Sequence, residues 1–222
     1  MRAGPTWRFL LLLVFGAWPL PRAAAQQVSI THSDWEMYTS AAVPVSKVGT
    51  AHGDPSLYHY APPVPAGGTD WKTLTGSPGA PLNPVDINYL GPKNDYSSDL
   101  HSCLTELKFT DFECFVPISS SFSVREATVA LGPLDDGARV LIYNSAHAAG
   151  VTPDDGYLLI GDSRTIDILK FLVAGESNRI VVQHMDDCGG QSWLGTVILE
   201  VKGEPGAYAG RPTWSRLKLL YR

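Results

Sequence analysis

The sequence predicts an all-β fold, an antiparallel β-sandwich. Between Ala127 and Val201, short runs rich in Val, Ile, Leu and Thr alternate with breaks rich in Gly, Asp, Asn and Ser. The breaks recur every 8 to 12 residues or so, which is the spacing typical of strands in a sandwich. The chain has 21 glycines and 17 prolines but only 18% charged residues, and this composition favours a loop-rich β protein over a helical one.

Individual strands are predicted from apolar or alternating runs that end at turn residues. Before Ala127 the pattern favours strands at 28–30, 35–38, 71–75, 104–109 and 113–118. The stretch 52–65 is predicted to be irregular, because its four prolines cannot donate to a central ladder. From Ala127 onward the predicted strands are 127–131, 138–144, 156–160, 166–173, 179–185 and 193–201.

Two stretches within this region resemble the galactose-binding-domain-like β-sandwich, a jelly-roll family. Residues 135–144 read Asp-Asp-Gly-Ala-Arg-Val-Leu-Ile-Tyr-Asn, and residues 168–183 read Ile-Leu-Lys-Phe-Leu-Val-Ala-Gly-Glu-Ser-Asn-Arg-Ile-Val-Val-Gln. The family carries a D-x-G-x-x-V-x-V-N-G strand and a later L-x-x-G-x-N-x-I-x-V strand, although here Ser145 follows Asn144 where the family has glycine. The resemblance implies a jelly-roll sandwich with ligands at its rim. That fold serves sugar binders, structural modules and linkers in enzymes alike.

The N-terminus has the features of a secretory signal peptide, residues 1–25. Two arginines precede a short apolar run, 9–18, and Ala23 and Ala25 fit the small-residue cleavage pattern. That run is shorter than the roughly 20 residues of a membrane span, so we expect a secreted, extracellular protein that begins near Gln26. The remaining segments are predicted as follows: 26–68, N-terminal strands and a Pro-rich irregular segment; 69–203, the β-sandwich; 204–222, a linker with a final strand or docking tail.

The charge balance argues against two classes of partner. The whole chain has a formal charge of −5. Loss of the signal peptide would remove three of the 17 basic residues, which leaves 14 against 22 acidic residues and a formal charge of −8. A chain without a basic stripe is not expected to bind nucleic acid or an anionic lipid surface.

The three cysteines, Cys103, Cys114 and Cys188, allow three pairings in an oxidising compartment. We predict a disulfide between Cys103 and Cys114, because they flank a predicted hairpin at 104–113. Cys188 would then be free or joined to another chain. Catalysis by Cys188 is disfavoured, since the nearest base, His184, lies four residues back on a predicted strand and therefore well over 10 Å away.

Three acidic pairs raise the question of calcium, which prefers carboxylate oxygens clustered by loops. The candidate ligands are Asp135, Asp136, Asp154, Asp155, Asp186 and Asp187. The alternative is ordinary turn chemistry, because Asp bonds its own turn and a following Gly accepts a positive φ. Apart from calcium, the sequence predicts no cofactor.

Enzyme motifs are missing from the sequence. The six histidines are scattered, and neither HExxH nor CxxC occurs, which disfavours a catalytic zinc. No G-x-S-x-G occurs either, which disfavours a serine hydrolase. Paired carboxylates for glycoside cleavage stay open, because their separation depends on the tertiary fold. A small secreted hydrolase is therefore the least favoured function.

Aromatic and polar residues suggest a sugar site, because sugars stack on aromatic faces and bond polar side chains. The candidate ligand-binding residues are Trp193, Trp71, Asp187, Gln191 and Tyr143. Trp193 follows the polar loop 187–192 and would stand at the sandwich rim, or else pack in the core.

These observations favour a secreted, non-catalytic β-sandwich that binds carbohydrate or another cell-surface ligand. The alternative is a structural component of an extracellular coat, matrix or surface layer. In that role, self-association would use the C-terminal tail or a free cysteine.

Overall fold

The computed structural model describes residues 27–46, 50, 53–66, 70–74, 89–90, 105–187 and 193–205. The predicted signal peptide, Cys103, Cys188, Gln191 and the chain after Pro205 lie outside the described residues. Within the described ranges the protein is almost entirely β, and no helix there is long and apolar enough to cross a membrane.

Thirteen strands and two short 3-10 helices make up the described structure. The strands are β1 Val28–Ser29, β2 Glu36–Thr39, β3 Val43–Pro44, β4 Lys72–Thr73, β5 Tyr89–Leu90, β6 Glu106–Pro117, β7 Phe122–Leu131, β8 Gly137–Tyr143, β9 Tyr157–Leu159, β10 Arg164–Asp167, β11 Ser177–Asp186, β12 Trp193–Leu194 and β13 Val197–Pro205. The 3-10 helices are Pro55–Tyr60 and Leu169–Phe171.

The strands form two main antiparallel sheets. One has the order β1-β13-β7-β10, and the other has the order β4-β2-β6-β11-β8-β9, with β3 also paired to β6. A further two-stranded sheet pairs β12 with β5. Buried side chains from both main sheets, such as Phe112, Val182, Val129 and Leu199, share one core cluster. The predicted all-β sandwich is therefore confirmed.

The N-terminal segment contributes to both sheets. β1 pairs with β13 in the smaller sheet, and β2 pairs with β6 in the larger one. Between them and β4, the chain crosses the outer face of the larger sheet through the first 3-10 helix. Its Leu57 and Tyr58 form a second apolar cluster with Leu107, Phe109 and Met185.

β11 is the central strand of the larger sheet and is covered on both faces. It pairs with β6 from Ser177 to Asp186 and with β8 from Arg179 to Met185. Ile180 and Val182 face the main core, whereas Met185 faces the second cluster. Since both faces are buried, the strand does not show simple apolar and polar alternation.

Two predicted strands are shorter than expected. The run 166–173 is strand only to Asp167, because Oδ1 of Asp167 accepts from the Leu169 amide at 2.9 Å and a 3-10 turn follows. The run 193–201 is interrupted between β12 and β13. There the Gly195 amide donates to the Pro133 carbonyl at 3.0 Å, and the Gly132 amide donates to the Thr196 carbonyl at 2.6 Å.

The predicted hairpin at 104–113 is wrong, because Glu106–Pro117 is one continuous strand. Along it, Glu106 and Cys114 are separated by about 26 Å. Cys114 is a free thiol whose side chain lies in the main core, and burial raises its pKa well above the usual value. The hairpin that suggested a Cys103–Cys114 disulfide is therefore absent, and the disulfide is not formed at Cys114 in the structure.

Candidate functional site

A row of polar and aromatic side chains crosses the outer face of the larger sheet. Directly opposite residues on neighbouring strands point to the same face. The register aligns Tyr38 (β2), Asp111 (β6), Gln183 (β11), Arg139 (β8) and Tyr157 (β9). Five strands thus bring together residues that are far apart in sequence.

The middle of this row is joined by side-chain hydrogen bonds. Nε of Arg139 donates to Oε1 of Gln183 at 2.8 Å, and Nε2 of Gln183 donates to Oδ1 of Asp111 at 2.7 Å. Asp111 and Gln183 are both fully buried. Burial raises the pKa of the Asp111 carboxyl to about 6, although the Gln183 hydrogen bond and the Arg139 charge oppose that rise. Asp111 is therefore a costly buried carboxylate at neutral pH.

A buried ion pair lies next to the row. Nε of Arg179 donates to Oε2 of Glu113, and Nη2 of Arg179 donates to the carbonyl of Pro65. Glu113 is completely buried, and burial raises its pKa, with the Arg179 charge acting in the opposite direction. The pair is thus held in a site largely closed to water.

Two predicted ligand-binding residues, Trp71 and Tyr143, both lie against this guanidinium. The carbon of the Arg179 guanidinium is 5.6 Å from the Trp71 ring centroid and 5.1 Å from that of Tyr143. Tyr38 packs against Trp71 with ring centroids 5.7 Å apart. Gly150 approaches the Tyr143 ring so closely that a Cβ there would lie 2.6 Å from it. Two aromatic rings therefore pack close to the Arg179 cation.

Three polar atoms of this cluster have no hydrogen-bond partner. Within the described part of the chain, the buried side-chain atoms without a partner are Oδ2 of Asp111, Oε1 of Glu113, Nε1 of Trp71 and Nε1 of Trp35. The first three belong to the outer face, whereas Trp35 lies in the main core. Each unpaired buried group costs about 1–3 kcal/mol. A buried polar atom without a partner is unusual in a native protein and is explained by strain, by a functional role, or by a bound water or ion.

Residues 53–66, which we call the strap, cover this face. The Gly53 amide donates to Oδ2 of Asp187 at 2.8 Å, at one end of β11. In the middle, the Tyr58 ring lies 4.8 Å from the Arg139 guanidinium, and its hydroxyl donates to the Gln183 carbonyl at 3.4 Å. At the far end, Pro65 accepts from Arg179. The strap therefore contacts the partners of both buried carboxylates.

The predicted ligand-binding residues fall into two groups. Trp71 and Tyr143 meet at Arg179, as described above. Trp193 lies at the other end of the sheet, is 36% exposed, and accepts from the Asp135 amide at 2.9 Å. Since Tyr143 is six residues beyond Gly137 on β8, these two groups are about 20 Å apart. The predicted rim site is therefore separate from the Arg179 end of the outer-face cluster, whereas Arg139 lies only two residues beyond Gly137.

Four of the six predicted calcium ligands converge near Trp193. The Asp187 amide donates to Oδ2 of Asp136 at 2.9 Å. Asp135 directly precedes Asp136 in sequence, and Asp186 directly precedes Asp187. Burial raises the pKa of Asp136 to about 8, and the nearby Asp187 charge adds to the rise. His184 bonds the Asp135 carbonyl through Nε2 at 2.9 Å, and burial lowers its pKa to about 4. Backbone amides therefore occupy one oxygen of both Asp136 and Asp187.

The other two predicted calcium ligands, Asp154 and Asp155, lie elsewhere. They are exposed and line a cavity of about 160 Å³ together with Lys170, whose Nζ is 3.7 Å from Oδ2 of Asp154. The pairing of Tyr157 with Arg139 separates them from the Asp136 end of β8. The structure thus does not bring the six aspartates together. Where side chains are described, no group of three His, Cys, Asp or Glu residues could hold a metal ion.

Sequence reasoning missed the polar residues of the outer face. They are Asp111, Glu113, Arg139, Arg179 and Gln183. The search for paired acids concentrated on loops, whereas these residues lie within strands. A usable signal was present, because Arg179 and Gln183 are four residues apart and lie on the same face of a strand, as do Arg139 and Tyr143.

No family model matches the chain, and no curated protein is significantly similar to it in sequence.

Proposed function

We propose that this protein is a secreted, non-catalytic β-sandwich of the galactose-binding-domain-like type that binds a carbohydrate on the outer face of its larger sheet. The observation that carries the proposal is the pair of unpaired, fully buried carboxylate oxygens on Asp111 and Glu113, beside the unpaired indole N–H of Trp71. A ligand that donates to the two oxygens and accepts from the indole would relieve all three costs.

The charges of the cluster favour a neutral ligand. Arg139 is bonded to Gln183, and Arg179 is bonded to Glu113 and Pro65, so both guanidinium groups already have partners. Because the two guanidinium charges offset the two carboxylate charges, the cluster has no net charge to attract an ionic ligand, and its unpaired carboxylate oxygens can accept hydrogen bonds from hydroxyl groups. A neutral sugar therefore fits better than a sulfated or uronic one.

The aromatic residues supply the second half of sugar recognition. Tyr143 and Tyr38 are half-buried at the border of the cluster, and the buried Trp71 packs against Tyr38. Aromatic faces next to hydrogen-bonding groups suit a pyranose, which has an apolar face and a polar rim. The proposed site combines both kinds of contact.

A glycan array tests the proposal and locates the site. We expect the mature protein to be retained on neutral glycans. Tyr143→Ala should lower retention at least tenfold, since it removes the ring that borders the cluster. Trp193→Ala, about 20 Å from Tyr143, should bind like the wild type. Loss of retention in Trp193→Ala alone would move the site to the rim, and absence of retention on any glycan would overturn the proposal.

A separate observation favours a second function, that of a structural component of an extracellular coat, matrix or surface layer. Leu159 is 42% exposed and Ile160 is 53% exposed at the end of β9, an edge strand of the larger sheet. Trp193 lies near this end of β9. The Gly161 amide donates to the Leu134 carbonyl, and the amide of the next residue, Asp135, donates to the Trp193 carbonyl. Exposed apolar side chains on a sheet edge favour self-association.

Light scattering coupled to size-exclusion chromatography tests this second function. Self-association should increase with protein concentration and disappear in the Leu159→Lys, Ile160→Lys double variant. Val28→Lys is the matched control, because Val28 is 40% exposed on an edge strand of the other sheet. A monomer at all concentrations would exclude this function.

A further inference from the structure

We infer that the strap, residues 53–66, is a gate that must leave the outer face before a ligand reaches Asp111 and Glu113. The inference rests on the proposed function, since it names how access to that site is controlled. Its basis is that both carboxylates are almost without exposed surface, at 1% and 0%, while retaining unpaired oxygens. A ligand cannot reach these atoms in the closed arrangement.

The strap is attached at one end through a single glycine. Gly53 has a φ of +69°, and its amide donates to Oδ2 of Asp187 at 2.8 Å. A Cβ at this position would lie 2.2 Å from the Asp136 carbonyl oxygen. Only glycine combines the left-handed backbone with such a close approach. Any side chain at Gly53 would therefore weaken this attachment.

The middle of the strap covers the polar row without joining the sheet. Asp54 caps the 3-10 helix, with Oδ1 accepting from the Ser56 amide at 2.8 Å. Tyr58 then stacks on Arg139, and Leu57 packs in the second apolar cluster. After the helix, the chain carries Pro62, Pro63 and Pro65, whose missing N–H groups prevent it from adding a strand. The strap can therefore leave the outer face of the larger sheet without breaking hydrogen bonds between strands.

The far end of the strap is held through the proposed site itself. Arg179 donates both to Pro65 of the strap and to Glu113 of the cluster. Opening at this end releases one hydrogen bond of Arg179 and leaves its ion pair with Glu113 in place. The same movement uncovers the guanidinium between Trp71 and Tyr143. When the strap opens, the Arg179–Glu113 ion pair and the two aromatic rings are therefore already in place to contact a ligand.

The first experiment needs no ligand and uses the wild-type protein. Carboxyl groups are labelled with a carbodiimide and glycine ethyl ester, and Asp111 and Glu113 are followed by peptide mass spectrometry. Hydrogen exchange of the Gly53 and Leu57 amides is measured in parallel. We expect the labelling of both carboxylates to follow strap exchange, and to be faster than the exchange of β11 amides. Labelling that occurs only with global unfolding would overturn the gate.

Two matched glycine variants then test the gate, one at the attachment of the strap and one away from it. Gly53→Ala should raise labelling of Asp111 and Glu113 about tenfold, because alanine is strained at a positive φ and also clashes with Asp136. Gly161→Ala is the control, since Gly161 has a φ of +78° but nothing within 4 Å of its Cβ position. It should label like the wild type. Equal labelling in the two variants would show general destabilisation and overturn the inference.

The binding arm separates this inference from the proposed function. For the best-retained neutral glycan, Gly53→Ala should bind with a higher association rate and a lower apparent Kd by the same factor as the labelling increase. Unchanged binding despite faster labelling would overturn the gate and leave the function intact. Faster labelling without retention of any glycan would remove the function, and the strap would then be only a structural cover.

Discussion

Two buried polar clusters in the larger sheet have opposite hydrogen-bond states. At the end of β11, Asn178 is fully buried, exchanges hydrogen bonds with both backbone groups of Val173, and accepts from Asn144 at 2.9 Å. Asn144 also donates to Phe171 at 2.7 Å. On the outer face, by contrast, Asp111 and Glu113 each keep an unpaired oxygen.

The difference in hydrogen bonding distinguishes the Asn144–Asn178 cluster, which is structural, from the proposed binding site on the outer face. The amides of Asn144 and Asn178 fix the loop between β10 and β11, and their satisfied bonds contribute to stability. The outer-face cluster loses stability through its unpaired atoms, and such a cost is commonly retained where a protein binds something. Substitutions should therefore destabilise the first cluster and, at the right position, stabilise the second.

The largest effect is expected from breaking the buried ion pair. Arg179→Met leaves Glu113 charged and buried without a partner, which should lower the free energy of unfolding by about 3–5 kcal/mol. The exposed pair of Arg125 and Glu204, at 3.4 Å, supplies the matched control. Arg125→Met should cost less than about 1 kcal/mol. Urea denaturation measures both, and equal costs would show that burial of the first pair has no energetic consequence.

A smaller loss is expected in the satisfied cluster. Asn178→Ala removes the partners of the Val173 amide and carbonyl and of Asn144, which should cost about 3 kcal/mol. The folded fraction should still bind glycan normally, because Asn178 lies on the opposite face of β11 from Arg179 and Gln183. Denaturation together with binding per folded molecule checks both parts. A binding defect with unchanged stability would reverse the roles assigned to the two clusters.

A gain of stability is expected at Asp111. Its pKa is raised to about 6 in the folded protein, so folding favours its protonated form. The wild type is therefore most stable below the unfolded pKa near 4, and loses this contribution as pH rises from about 4 to 6. Asp111→Asn does not titrate, and above pH 6 it should be more stable than the wild type by about 3 kcal/mol.

Comparison of the two proteins by urea denaturation between pH 4 and 8 checks this prediction. Other titrating groups are common to both and cancel in the difference. The advantage of Asp111→Asn should shrink below pH 6 and nearly vanish at pH 4. A difference that does not change with pH would mean that Asp111 carries no buried charge.

The sequence was most informative where contacts are local. Turn chemistry around Asp135, Asp136 and Gly137 predicts the start of β8 to within one residue, and β11 begins two residues before the predicted Arg179. These elements depend on backbone preferences within a few residues. The strand β6 was divided in error, because its two faces are both buried and its pattern therefore lacks simple alternation.

The outer-face cluster depends on contacts that local patterns do not specify. Gln183 meets Asp111 across 72 residues and Arg139 across 44, and Gly53 meets Asp187 across 134. These contacts follow from strand register and from the path of the strap. Trp71 and Tyr143 could be chosen as aromatic candidates, but their shared partner Arg179 is visible only once the strands are aligned.

Isothermal titration of the best-retained neutral glycan against the wild type and Asp111→Asn tests the central claim most directly. Asparagine retains an oxygen that can accept from Gln183 but loses the carboxylate acceptor proposed for the ligand. The account predicts a protein that is at least as stable as the wild type at pH 7.5, yet binds the glycan at least tenfold more weakly. Unchanged affinity in a stable Asp111→Asn variant would contradict it.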